Sequence, residues 1–302
     1  HEFAGYLGGL QAIDSGVTAL LDYAHIQWGE DRALASARGL QASGIAGWFG
    51  YQMSHTPTYG PGDTVPMAQA VAEQSAMADE AHFRTATALA RDVFTDSSAP
   101  LRLGLCMSNG AYGAEIGLVK AELDRLRAFG VGLIAAHNQR GDRQAPAGHF
   151  GARGRGIADL RDAGLLGPDL HLSHGNGLSD EELHMLADTG GMLCSTAMGE
   201  FPYKARGLPA SIHGRARAAG VAAGIGIDVG VALTQDYFEH VRAAFWSLYL
   251  DPEGQRLAAA YTSQDVLDFA TRTGAKAIRI GDQAGTISVG KRADLVLLRT
   301  DR

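Results

Sequence analysis

Short, continuously apolar runs that stop at a polar side chain recur along this chain, and they restrict its fold more than any other feature. Three of them end in a group able to bind a metal: Gly132-Leu-Ile-Ala-Ala-His137, Leu170-His-Leu-Ser-His174 and Ala223-Gly-Ile-Gly-Ile-Asp228. A run of five or six residues that is apolar throughout, rather than alternating, suits a strand covered on both faces, as in a parallel sheet. Strands that deliver a His or Asp at their carboxyl ends are how a parallel barrel assembles a site from residues far apart in sequence. Two imidazoles and a carboxylate suit a borderline divalent ion such as zinc.

The same pattern continues elsewhere. Strands are expected at Val17–Ala24, Ile45–Gln52, Leu101–Ser108, Val131–His137, Leu170–Gly175, Met192–Ala197 and Ala222–Val229. Amphipathic helices fit between them at Asp31–Ser43, Met67–Arg91, Glu115–Phe129, Ser179–Thr189 and Gln235–Leu250. Ser179-Asp-Glu-Glu182 is a capping box, and Gly44, Gly130, Gly164, Gly190 and Gly220 are placed to close helices.

Strand–helix alternation implies a parallel sheet. A closed barrel takes eight strands, each followed by its helix. This reading supplies seven, with a helix at Phe3–Ser15 ahead of the first. The simplest account is a TIM-type (β/α)8 barrel whose first strand is missing from the sequence given. His1-Glu2-Phe3 fits a cloning remnant or a native helix start equally well, and an open doubly wound sheet is the alternative fold. A further helix is expected at Ser263–Thr273. A turn and strand over Gly285–Leu298 then reads as part of a small β module, which divides the chain into a barrel over 1–275 and a β segment over 276–302.

Composition excludes several classes. The 302 residues are 46% hydrophobic and 20% charged, an ordinary globular balance. A net charge of -7 disfavours nucleic acid and anionic membranes as partners. No run of about 18 apolar residues offers a spanning helix, and no basic-then-apolar leader opens the chain. The two cysteines, Cys106 and Cys194, lie inside apolar runs and read as buried thiols in a reducing, cytoplasmic setting. Gly285-Thr-Ile-Ser-Val-Gly-Lys-Arg292 imitates a phosphate-binding loop. It lacks the Ser or Thr after the Lys and leads into a strand, so nucleotide binding is rejected.

That tail, Gly285-Thr-Ile-Ser-Val-Gly-Lys-Arg-Ala-Asp-Leu-Val-Leu-Leu298, resembles the carboxyl-terminal signature of the amidohydrolase superfamily. Asp14-Ser-Gly-Val-Thr-Ala-Leu-Leu-Asp-Tyr-Ala-His25 is similar to its second strand, and Leu172-Ser-His-Gly-Asn-Gly-Leu-Ser-Asp-Glu-Glu-Leu183 to its sixth. The branch resembled is the cytosine-deaminase-like and triazine-hydrolase-like one. The resemblance implies hydrolysis of a C–N bond (amide, amidine or amino-heterocycle) in a small cyclic substrate by metal-activated water. One divalent metal is implied, zinc before iron.

Carried over by position, His137, His174 and Asp228 would be metal ligands, His174 would also polarise the substrate and Asp228 would carry the proton. The family's His-x-His pair occurs nowhere in this sequence, and Arg140 stands where many deaminases of the branch carry a Glu. A scaffold without a complete metal site is therefore the competing reading. His25, His55 and Met198 are expected to line the substrate pocket. His171 is expected to pack toward the helices, and His82, His184, His213 and His240 to lie on helix surfaces. The partner is a small molecule, and a homo-oligomer is compatible with all of this.

Overall fold

The computed structural model describes residues 1–25, 27, 29–55, 60, 62–112, 114–138, 156–204, 212–230, 232–250, 255–257 and 261–299. Its framework is one sheet of β1 (Ala19–Ala24), β2 (Ala46–Gln52), β3 (Leu101–Cys106), β4 (Ile134–Asn138), β5 (Leu170–His174), β6 (Met192–Ser195) and β7 (Ala222–Ile225). The strands lie side by side in chain order and every neighbouring pair is parallel. Around them run α1 (Glu2–Asp14), α2 (Glu30–Ala42), α3 (Met67–Gln74), α4 (Glu80–Asp92), α5 (Ile116–Ala128), α6 (Ile157–Asp162), α7 (Asp180–Asp188), α8 (Ala197–Lys204), α9 (Ile212–Ala218), α10 (Tyr237–Leu250), α11 (Ser263–Ala270) and α12 (Arg272–Ala277). All seven expected strands are present, each within a few residues of its expected limits.

The pleat sorts these apolar strands into two cores. Phe49, Leu103, Leu105, Ile134, Ala136, Leu170, Leu172 and Leu193 join the main cluster with the helices. Their neighbours in sequence, Trp48, Cys106, Leu133 and Ala135, form a second cluster with Leu21, Tyr23 and Ile278 on the other face. Both faces being buried explains why the strands read as unbroken apolar runs.

The sheet is strongly curved. Adjacent strands sit about 4.8 Å apart, so the ends of β1 and β4 would be separated by roughly 14 Å in a flat sheet. The ring of Tyr23 on β1 lies only 5.7 Å from that of His137 on β4, and His25 lies 6.1 Å from it. The smaller core is therefore the concave one, and α12 fills its far end. His171 meets the Ala277 carbonyl with Nδ1 at 3.3 Å, and Trp48 donates Nε1–H to the Ile278 carbonyl at 2.6 Å. A Cβ on Gly224 of β7 would come within 3.2 Å of the Gly274 Cα, so the helix lies directly against the strand. The fold is a TIM-type barrel represented by seven strands.

Helix α1 is held by close backbone approach. A Cβ on Gly39 of α2 would lie 1.9 Å from the Glu2 carbonyl oxygen, and one on Gly5 would lie 2.5 Å from that of Ser36. No side chain larger than hydrogen fits this crossing.

Several expectations are corrected. The helix expected over Met67–Arg91 is two helices, because Asp79 caps α4 by accepting from the N–H groups of Ala81 and His82. That cap starts a new helix where periodicity alone suggested continuation. The helix expected over Ser263–Thr273 breaks at Thr271, whose backbone (φ -125°, ψ -94°) is not helical. No strand forms over 285–298 among the described residues, since no neighbouring strand lies there to pair with it. His82, His213 and His240 are buried rather than superficial, whereas His184 is exposed as expected. His213 bonds the Ala244 carbonyl and sits edge-on to Phe269, while His240 bonds the Thr234 carbonyl. His171 lies on the concave face, where it meets α12, rather than toward the helices that flank the sheet. No helix among the described residues is long and apolar enough to cross a membrane.

Burial lowers the pKa of both His171 and His213 to about 4. Both are neutral in the folded chain, whereas in the unfolded chain they titrate near 6.5. Stability from these groups is complete above 6.5 and is lost as pH falls toward 4, on the order of 3 kcal/mol each. The urea midpoint is expected to drop over that interval, and less steeply in His213→Gln. Equal slopes in the two proteins would refute the assignment.

Candidate active site at the carboxyl ends of the strands

Curvature gathers the polar strand ends at one mouth. His137, on β4, and His174, the last residue of β5, face each other with their Nε2 atoms 3.0 Å apart. Their rings are nearly perpendicular, with centroids 4.6 Å apart. Asp228 follows β7 by three residues, and its Oδ2 lies 3.5 Å from Thr196 Oγ1, which in turn lies 3.0 Å from His174 Nδ1. His25 completes the ring from β1, against Tyr23 at 4.8 Å and His137 at 6.1 Å.

Two of these residues carry strained backbone. His174 (φ 73°) and Asp228 (φ 68°) are two of the three non-glycine residues with positive φ among the described residues. Such conformations cost about 1–3 kcal/mol and persist where the surroundings enforce them, commonly at functional sites. In His174 the left-handed turn lifts the side chain out of the strand's pleat toward His137. Gly199 makes room for the other: a Cβ there would lie 2.8 Å from Asp228 Oδ2.

Burial favours the neutral form of two of these imidazoles, His137 and His25. Burial lowers His137 to a pKa of about 3, reinforced by the nearby His174 and His25. His25 is also lowered, by desolvation first, while Asp228 acts in the opposite direction. Neutral imidazole is the form that binds a metal.

Beneath His174 lies a residue that sequence reasoning missed. Glu200, on α8, is fully buried, with Oε1 3.2 Å from His174 Nδ1. It also accepts from the Thr196 N–H at 2.7 Å, Thr196 Oγ1 at 3.2 Å, Asn176 Nδ2 at 3.0 Å and Ser195 Oγ at 3.0 Å. Burial by itself raises a carboxyl pKa, but these donors, His174 foremost, hold Glu200 below its ordinary value. In sequence Thr196-Ala-Met-Gly-Glu200 looks like a slightly long helix cap, and nothing in it marks a site residue.

The other expected pocket residues are placed differently. His55 turns to Asp79, with Nε2 3.6 Å from Oδ2, and packs edge-on to His82. Among the described residues, this trio is the group of metal-capable side chains whose donor atoms all lie within 4.8 Å of one another. Asp79 and His82 are, however, already engaged in the cap of α4. Met198 is half-buried on the first turn of α8. Arg140 lies outside the described residues.

The sequence matches the model of the amidohydrolase family over residues 2–301. The chain belongs to the amidohydrolase family. It is 32% identical over 148 residues to a 5-methylthioadenosine/S-adenosylhomocysteine deaminase of Desulforudis audaxviator, covering 48% of this chain and 33% of that protein. A deaminase of the same description from Teredinibacter turnerae is 27% identical over 186 residues, covering 59% and 40%. The chain thus spans well under half the length of these curated relatives.

Among solved structures, an adenosine deaminase from Xanthomonas campestris with bound zinc superposes with a TM-score of 0.70 at 20% identity, covering 97% of this chain and 60% of that one. A mutant of an atrazine chlorohydrolase from Arthrobacter aurescens, complexed with zinc and atraton, gives 0.70 at 17% identity, covering 97% and 62%. The guanine deaminase of E. coli gives 0.65 at 15%, covering 97% and 63%. These likenesses show that the chain shares the fold of these proteins.

Because Asp228 is held left-handed, glycine relaxes its backbone. Asp228→Gly is expected to stabilise the chain by about 0.5–1 kcal/mol in urea denaturation. A destabilisation of similar size would mean that the carboxylate's contacts outweigh its strain.

Proposed function

We propose that this amidohydrolase chain works as a metal-dependent hydrolase on a C–N bond of a small cyclic substrate, such as an amino-heterocycle. The observation that carries the proposal is the pair of Nε2 atoms, 3.0 Å apart at the mouth of the sheet. Zinc–nitrogen bonds of about 2.0–2.1 Å in a tetrahedral site separate two ligand nitrogens by roughly 3.4 Å, so the pair is close to the spacing such an ion needs. His137 and His174 would hold the ion. Asp228 stands at the same mouth, but its donor atoms and theirs do not all lie within 4.8 Å of one another, so its carboxylate would have to close on them to serve as the third protein ligand. Two His and one carboxylate, with one position left for solvent, is a known catalytic zinc set.

A divalent ion there would supply Lewis acidity, bringing the pKa of a water toward 7. The chain's residues do the rest. The Asp228 carboxylate takes the proton of the attacking water and delivers it to the leaving nitrogen. Both transfers need a carboxylate that can reach solvent, and Asp228 is exposed at the mouth. His137, held neutral by burial, carries no positive charge to oppose a cation, and His25 supplies a polar edge against which a ring can be oriented. The deaminase descriptions of the curated relatives support nitrogen as the leaving atom.

The opposing reading, an inert scaffold, rests on one specific observation. The sequence contains no His-x-His pair, so the histidine ligands available at this mouth are fewer than the family pattern provides. Zinc content and ammonia release from a panel of aminopurines and aminotriazines separate the two. Stoichiometric zinc is expected in the folded protein, lost in His137→Ala. Asp228→Asn is expected to keep the fold and lose 10²–10⁴-fold in turnover, the range for a proton-transfer group. A folded protein that takes up no zinc and releases no ammonia would establish the scaffold reading.

A further inference from the structure

The bonds around His174 determine which of its ring nitrogens carries the hydrogen. Two oxygens bond its Nδ1: Glu200 Oε1 at 3.2 Å and Thr196 Oγ1 at 3.0 Å. A carboxylate can only accept. The threonine hydroxyl has a single hydrogen, and two carboxylates lie within its reach, Glu200 Oε1 at 3.2 Å and Asp228 Oδ2 at 3.5 Å. A hydrogen shared with a carboxylate is the stronger bond, so the hydroxyl donates there and receives from the imidazole. Nδ1 therefore carries the hydrogen and Nε2 the lone pair.

We propose that Glu200 is a positioning residue that locks His174 in the Nδ1–H tautomer and so aims its Nε2 lone pair at His137. The carboxylate is itself immobilised. One oxygen takes the Thr196 N–H, and the other takes Asn176 Nδ2 and Ser195 Oγ. Those donors come from the loop after β5, the end of β6 and the start of α8, so Glu200 ties three elements to one imidazole.

Helix capping alone does not account for this. The Thr196 N–H bond would suffice for a cap, whereas the bonds to His174, Asn176 and Ser195 serve no helix end. A fully buried carboxylate is costly unless paired in this way. The consequence for His137 is direct: at 3.0 Å from a lone pair, its Nε2 presents a hydrogen in the metal-free chain, in the place a cation would take. A carboxylate behind a ligating imidazole also raises its basicity, and removing such a partner commonly weakens metal binding 10–100-fold.

The metal consequence rests on the function proposed above, but the tautomer does not, and the experiment separates them. Long-range ¹H–¹⁵N correlation spectra of the metal-free, ¹⁵N-histidine-labelled chain, with His174 assigned from His174→Gln, report the tautomer directly. The expected pattern is a protonated Nδ1 and an unprotonated Nε2 in the wild type. In Glu200→Gln the amide can donate to Nδ1, so the pattern should shift toward Nε2–H, with zinc bound 10–100-fold more weakly. Glu200→Asp, which keeps the charge, should recover the wild-type pattern. An Nε2–H tautomer in the wild type overturns the proposal, as does a Glu200→Gln protein with unchanged tautomer and zinc affinity. Should Glu200→Gln fail to fold, the wild-type spectrum still decides. A wild type that shows the Nδ1–H pattern yet takes up no zinc would leave Glu200's role standing and remove the metal reading alone.

Discussion

Curvature of the parallel sheet is the constraint on which the rest depends. It brings the ends of β1 and β4, three strand spacings apart, into ring contact through Tyr23, His25 and His137. Side-chain size on the two faces makes it feasible. The convex face carries bulky Phe49, Leu103, Leu105 and Leu172 against the helices. The concave face is nearly bare in places: a Cβ on Gly50 would lie 2.8 Å from Cys106 Sγ, and one on Gly132 would lie 2.7 Å from the ring of Trp48. The Cys106 thiol and Leu21 fill the space at Gly50, and the Trp48 indole, its N–H tied to the Ile278 carbonyl, fills that at Gly132. Glycines beside a few large inward side chains let the sheet bend without voids, as close packing demands.

The bend is used at only one end. Floor residues such as His171 and Trp48 are fastened to α12 and the turn after it, so the barrel is closed there by packing. At the carboxyl ends the chain instead places imidazoles and carboxylates at hydrogen-bonding distance, two of them on left-handed backbone. Strain and burial there are sustained by a hydrogen-bond network in which Glu200 and Thr196 each serve several partners. This is the usual division in barrels, with stability invested at one face and chemistry at the other.

How much of this was legible beforehand differs by level. The strands were, because five-residue apolar runs broken by polar residues and glycine leave little else to form. The convergence of His137 and His174 was foreseeable once strand ends were taken as neighbours. Positions governed by single local bonds were not: Asp79 splits a helix that periodicity ran through, and Thr271 does the same near the end. His213 and His240 were misplaced because a helix face is exposed or covered according to what packs on it. Glu200 escaped because a Glu in a first helical turn is ordinarily a surface residue.

The sequence by itself determined that the chain forms a parallel α/β sheet, that its polar groups fall at strand ends, and that His137, His174 and Asp228 are the candidates for chemistry. Those features depend on local pattern, which a linear reading captures. Tertiary structure alone decided that β1 bends round to β4, that His55 turns aside to Asp79, and that a buried carboxylate stands behind His174. Each depends on distances between residues dozens of positions apart, set by how side chains of particular volumes fill the two faces of one sheet.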